Sequence, residues 1–273
     1  MTPAATVHHV VEGPPGAPVV VLSNALGSTL AMWDPQVPEL ARHFRVIRYD
    51  MRGHGRSPVP RGPYGIEDLG RDLLGLLDRL GAHTAHLCGL SIGGMVSAWV
   101  AANAPQRVER LVLCCTSAHF DPPHAGLYAD RAAVVRAQGT GAIADAVVAR
   151  WLTPPFAESH PAVVDSLRAM VAATPAQGYA GCCDALAAMD LLPDLPRVRA
   201  ATLVISAAGD VSLPPAHGER IAAAIAGSRF VVVEGAAHLA NIERPEEVTA
   251  LIRSHLLATA APQRRPAAGR HTP

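Results

Sequence analysis

Short apolar runs alternate along this chain with longer amphipathic stretches, and that rhythm admits few folds. Segments 19–23, 44–49, 85–88, 111–115, 202–206 and 230–233 are each four to seven residues of mainly Val, Leu and Ile. Continuous apolar runs of that length mark strands buried on both faces, as in a parallel sheet. Between them, 66–80 carries Ile66, Leu69, Leu73, Leu76, Leu77 and Leu80 near one face of a 3.6-residue repeat, and Gly81 stops it. Helices are also expected over 92–102, 215–226 and 246–257. The fold class is therefore α/β, a mostly parallel sheet flanked by helices. An opening hairpin around 7–11, with its turn at 13–16, should pair antiparallel at the sheet edge.

The rhythm changes between residues 117 and 192. Amphipathic helical patterns at 129–138, 143–151 and 162–173 replace the strands, punctuated by Pro122, Pro123, Pro154, Pro155, Pro161 and Pro175. A helical insertion between two core strands would cap the sheet's C-terminal edge, where open α/β sheets bind ligands. The expected division is a core of 1–117 and 193–258, a helical cap of 118–192, and an Ala/Pro/Arg-rich tail of 259–273, disordered or a linker.

Composition excludes several classes. The 273 residues are 49% hydrophobic and 17% charged, enough to bury a sizeable core. Basic and acidic side chains balance at 23 each, all the basic charge being arginine. No basic stripe suited to nucleic acid appears in the body; the basic cluster is Arg264, Arg265 and Arg270 in the tail. The start, MTPAATVHHV, lacks the pattern of a signal peptide. Segment 86–104 is nearly uncharged, but its glycines suit a strand–turn–helix better than a membrane span. Cys88, Cys114, Cys115, Cys182 and Cys183 are odd in number and set in apolar surroundings. They read as buried thiols in a reducing compartment, so a cytoplasmic location is expected, with no membrane and no metal site.

Gly89-Leu90-Ser91-Ile92-Gly93 is the strongest chemical signal. It is a G-x-S-x-G nucleophile elbow with an apolar strand before it and a helix after it. The serine needs a base, and sites of this kind continue in chain order with an acid and then a histidine. Asp210 follows the 202–206 run after a short turn, and His238 follows the 230–233 run. Both fall at strand C-terminal ends, where Ser91 also projects. His238 would take the serine proton while Asp210 holds its tautomer. His54 and His119 are the rival histidines and Asp121 the rival acid; Asp50 and Asp72 read as structural. The oxyanion needs backbone donors: the Ile92 amide, directly after the nucleophile, and one from the 23–27 loop.

A family resemblance rests on further motifs. Ser23-Asn24-Ala25-Leu26-Gly27-Ser28 leading to Met32-Trp33-Asp34, then Arg48-Tyr49-Asp50-Met51-Arg52-Gly53-His54-Gly55, resembles the 3-oxoadipate enol-lactonases of the α/β-hydrolase superfamily. Cys88 through Met95, Arg150-Trp151-Leu152-Thr153-Pro154, Tyr179-Ala180-Gly181-Cys182-Cys183 and Ala237 through Glu243 are similar too. Many α/β-hydrolases carry His-Gly where this chain has Asn24-Ala25, and by that register Leu26 supplies the second oxyanion amide. The resemblance implies an α/β-hydrolase fold, an acyl-enzyme on Ser91, release of 3-oxoadipate in aromatic catabolism, and no cofactor. The substrate's free carboxylate should want an arginine. Arg150, beside the pocket-wall candidate Trp151, is the first choice, with Arg131, Arg136 and Arg168 also on the cap. Some relatives are fused to a carboxymuconolactone decarboxylase, which makes the tail a candidate linker. A general carboxylesterase or perhydrolase with the same triad is the alternative, as is a non-catalytic hydrolase-fold binding protein.

Overall fold

The computed structural model describes residues 4–258. Seven strands form one sheet: β1 (His9–Glu12), β2 (Val19–Ser23), β3 (Arg45–Tyr49), β4 (Ala85–Leu90), β5 (Val108–Cys114), β6 (Ala201–Ala207) and β7 (Arg229–Val233). Their spatial order is β1-β3-β2-β4-β5-β6-β7, and every pairing is parallel except β1 with β3. The six expected core strands are all present, with no end moved by more than three residues. The chain has the α/β-hydrolase fold expected of it.

Strand periodicity sorts the core into two layers. Val21, Ile47, Leu87, Leu111, Leu113 and Val204 face the layer built by the helices Ile66–Arg79, Ile92–Asn103 and Pro215–Ala224. Val20, Leu22, Val46, Cys88, Leu90, Val112 and Ile205 face the other, which holds Trp33, Leu40 and the helix Pro245–Leu257. Segment 86–104 is thus a buried strand and a core helix. No helix among the described residues is long and apolar enough to cross a membrane.

The expected opening hairpin does not form. β1 pairs antiparallel with β3, His9 opposite Tyr49, rather than with the strand that follows it. Both edges of β2 are taken by parallel neighbours, β3 and β4, so β1 must cross to the free edge of β3. The Gly13 turn that carries it has φ +88, and a Cβ there would lie 2.2 Å from the Phe44 carbonyl oxygen.

Between β5 and β6 the chain runs through the helices Pro122–Gln138, Ala144–Val148, Pro154–Ser159, Pro161–Ala172 and Ala176–Ala187. The ends of this insertion are pinned together: Leu191 N–H donates to the Ala118 carbonyl at 2.7 Å, and His119 bridges Asp190. Prolines that read as punctuation are helix starts, where the missing N–H costs nothing. Asp121 caps the first of these helices by accepting from His124 N–H at 3.2 Å. The helix Ala176–Ala187 was not foreseen, because eight of its residues, Tyr179, Cys182 and Cys183 among them, are buried and leave no polar face to show the period. It packs so closely on the core that a Cβ on Gly53 would lie 2.3 Å from the Gly178 Cα. All five cysteines are free and buried, and burial holds the Cys115, Cys182 and Cys183 thiols above their ordinary pKa, which keeps them protonated. Segment 259–273 lies outside the described residues.

Candidate active site

The elbow is built by backbone crowding. Ser91 sits between β4 and the helix Ile92–Asn103 at φ 57, ψ −125, a conformation a side-chain-bearing residue holds only when its surroundings enforce it. Ser91 N–H donates to the Cys114 carbonyl at 3.0 Å, and the Ser91 carbonyl accepts from Thr116 Oγ1 at 2.6 Å. The flanking glycines are obligatory: a Cβ on Gly89 would stand 2.1 Å from the Gly93 oxygen, and one on Gly93 2.3 Å from the Ser23 oxygen. The Ser91 hydroxyl is lifted into a pocket beneath the helical insertion.

His238 reaches the same pocket from the loop after β7. Its Nδ1 lies 2.7 Å from Asp210 Oδ2, and both side chains are almost wholly buried. The other oxygen of Asp210 accepts the amides of Ser212 at 2.8 Å and Leu213 at 2.9 Å, which fixes the carboxylate plane. A carboxylate on Nδ1 keeps the proton there and leaves Nε2 unprotonated, able to accept a hydrogen bond. The loop itself is braced by Glu243, which accepts Ala237 N–H at 2.5 Å and Thr153 N–H at 2.9 Å, and by Leu239 N–H donating to the Trp151 carbonyl at 2.9 Å.

The rivals have other duties. Asp121 is an exposed helix cap paired with His124 at 2.6 Å. His119 sits at the neck of the insertion, 3.3 Å from Asp190. Asp72 grips the buried Arg52 at 2.5 and 2.6 Å, and Asp50 ties Leu30 and Arg56 amides at 2.9 Å each. His54 is wholly buried and accepts the Gly27 amide at 2.9 Å.

The family model for the alpha/beta hydrolase fold matches residues 18–170. The chain is 38% identical over 240 residues to 3-oxoadipate enol-lactonase 2 of Acinetobacter baylyi, covering 88% of this chain and 89% of that protein. The chain belongs to the α/β-hydrolase family. Among solved structures, the enol-lactonase from Burkholderia xenovorans LB400 superposes with a TM-score of 0.90 at 43% identity, covering 92% of this chain and 96% of that one. A putative carbamate hydrolase RutD of Stutzerimonas stutzeri is also similar, 29% identical over 92% of this chain and 96% of its own length. This α/β-hydrolase is thus a hydrolase with enol-lactonase relatives.

The insertion supplies most of the walls of the pocket. Trp151 lines it, buried to 5% exposure. Arg150 and Arg131 both line it as well, and they differ. Arg150 is exposed and donates to the Val211 carbonyl at 2.7 Å. Arg131 is half-buried, stacked on Tyr128 at 5.5 Å, and no carboxylate among the described residues pairs with it. Arg136 pairs with Asp184, and Arg168 with Asp145 and Asp165; neither lines the pocket. Sequence reasoning missed Tyr128 and Tyr179 as wall residues. The Tyr179 hydroxyl is buried beside the Arg131 guanidinium. Its motif was visible in the sequence, but which face of its helix meets the pocket was not.

Proposed function

We propose that this α/β-hydrolase opens the ring of 3-oxoadipate enol-lactone through an acyl-enzyme on Ser91. The observation that carries the reading is one pocket lined by Ser91, by His238 with Asp210 buried behind it, and by Arg131, which has no carboxylate partner among the described residues. Ser91 Oγ attacks the lactone carbonyl while His238 Nε2 takes its proton, and Asp210 stabilises the imidazolium. The amides of Leu26 and Ile92 receive the oxyanion. Ile92 opens its helix, so its N–H has no partner within that helix. Leu26 lies between Ala25, whose N–H donates to Met32 Sδ at 3.2 Å, and Gly27, whose N–H is taken by His54.

Collapse of the tetrahedral adduct breaks the ring C–O bond, and the enol oxygen leaves with the proton held by His238. The enol tautomerises to the ketone, so no strong acid is needed. Water, deprotonated by the same Nε2, then cleaves the ester and releases the dicarboxylic product. The substrate's acetate arm reaches toward Arg131, and the Tyr179 hydroxyl is placed to add a second donor. Arg131 thus replaces Arg150 as the preferred carboxylate partner, with Arg150 at the rim.

The test is steady-state hydrolysis of the enol-lactone beside short p-nitrophenyl esters and a carbamate, with a fluorophosphonate probe on the same preparations. Labelling of Ser91 with the lactone turned over fastest is the expected result. Labelling with the lactone ignored would leave a general esterase or carbamate hydrolase. No labelling and no turnover would leave a binding protein.

A further inference from the structure

The turn that offers the Leu26 amide is clamped on both sides. Upstream, Ala25 N–H donates to Met32 Sδ at 3.2 Å, and Asn24 Nδ2 donates to the Tyr49 carbonyl at 2.8 Å. Downstream, Gly27, in the left-handed region at φ +78, gives its N–H to His54 Nε2 at 2.9 Å. Peptide units are planar, so fixing the units before and after leaves the Leu26 N–H little choice of direction. Leu26 is also the residue of this turn that lines the pocket with Ser91 and His238.

The ring that holds Gly27 is itself fixed. His54 is 0% exposed, and its Nδ1 lies 3.2 Å from the Arg52 carbonyl. A backbone carbonyl can only accept and an amide N–H can only donate, so both contacts are satisfied in one form alone: neutral imidazole, protonated on Nδ1. The His54 loop is closed by Gly53 N–H on the Pro58 carbonyl at 2.8 Å and His54 N–H on the Met51 carbonyl at 3.0 Å. Its glycine backbone abuts Gly178 of the helical insertion.

We propose that His54 is a positioning residue for oxyanion binding: its Nδ1–H tautomer accepts the Gly27 amide and so aims the Leu26 amide at the developing charge. This rests on the serine-hydrolase reading above and assigns a role to a residue outside the triad. A proton on Nε2 would face an N–H with another N–H, and the clamp would open. Burial favours the neutral form and lowers the His54 pKa from its ordinary value, opposed by the contact with the Arg52 carbonyl and by the charge of Asp50. The Arg52 guanidinium is bound to Asp72 of the helix Ile66–Arg79, and from the insertion Tyr179 packs against Gly27. The oxyanion turn contributes no titratable side chain.

Three variants test this, with p-nitrophenyl acetate and a fluorophosphonate as probes. His54→Gln carries an acceptor about as far from the backbone as Nε2; His54→Asn is too short, and His54→Leu has none. His54→Leu and His54→Asn should lose about ten- to a hundredfold in kcat, with KM little changed, the range below full loss of an oxyanion donor. His54→Gln should recover most of it, and the rate of Ser91 phosphonylation should follow the same order. Melting temperatures identify any variant that fails to fold. Wild-type kcat in His54→Leu, or three variants falling together, would overturn the proposal. A wild type inert to both probes would remove the serine-hydrolase reading and this one with it, whereas an active wild type indifferent to His54 would remove this one alone.

Discussion

The sheet edge around Ser91 and the helical insertion above it solve different problems with different materials. At the edge, backbone does the work: glycines at van der Waals limits, a serine at positive φ, and amides held in fixed directions. Few side chains could be exchanged there without a clash. The insertion meets the pocket with side chains instead, Tyr128, Arg131 and Tyr179 from its helices and Trp151 from a turn between them. On the proposed function, chemistry and selectivity are separable in this molecule. Damage at the edge should abolish turnover of every ester, while changes in the insertion should re-rank substrates.

Ser91→Ala should give the largest effect. Loss of the nucleophile lowers kcat by roughly 10⁴- to 10⁶-fold on any ester, charged or neutral, with folding retained. Steady-state rates and a melting curve check both halves, and residual activity near wild type would remove Ser91 from the mechanism.

Asp210→Asn should follow, at about 10⁴-fold in kcat, because an amide facing Nδ1 favours the wrong tautomer of His238. The control is Asp121→Asn, which touches an exposed cap and should leave kcat unchanged. The reverse order of severity would move the acid of the site into the insertion and break the comparison outright.

Arg131→Met should act on selectivity alone. Hydrogen bonds to a charged group contribute about 1.5–3 kcal/mol, so kcat/KM for the lactone acid should drop about ten- to a hundredfold. Rates on neutral p-nitrophenyl esters should hardly move. Arg150→Met, at the exposed rim, should cost less; a larger loss there would exchange the roles of the two arginines.

The smallest effect concerns stability. His54 is buried and its pKa lies below the ordinary 6.5, so the unfolded chain binds a proton that the folded chain resists. Its contribution is therefore full above about pH 6.5 and declines as pH falls toward the lowered folded value, with a slope of about 1.4 kcal/mol per pH unit. Urea unfolding at pH 7.5 and 5.5 should show lower stability in acid, and a smaller decrement in His54→Gln. Equal decrements in the two proteins would place the acid sensitivity elsewhere.

How much could be read beforehand follows the same division. Strands β2 to β6 were legible because burial on both faces writes itself as a continuous apolar run, and β7, a half-buried edge strand, because its Phe-Val-Val-Val run is apolar as well. The elbow was legible because its glycines are sterically compelled. The partner of β1 was not, since edge pairing depends on which strand edges remain free. The helix Ala176–Ala187 was hidden by its own burial, and Pro122, Pro154 and Pro161 were ambiguous between breaking a helix and starting one. Choosing Arg131 over Arg150 needed the positions of Asp184, Asp145 and Val211, none of them a neighbour in sequence.

In the proposed function, the edge performs acyl transfer while the insertion reads a carboxylate. Its most direct test is the ratio of kcat/KM for the enol-lactone with its free acetate arm to that for the same ring with the arm neutralised. A ratio of about ten to a hundred or more is the predicted result, since the neutral compound would leave the Arg131 cation unpaired in the pocket. A ratio of one, with Ser91 still required for both compounds, would contradict it.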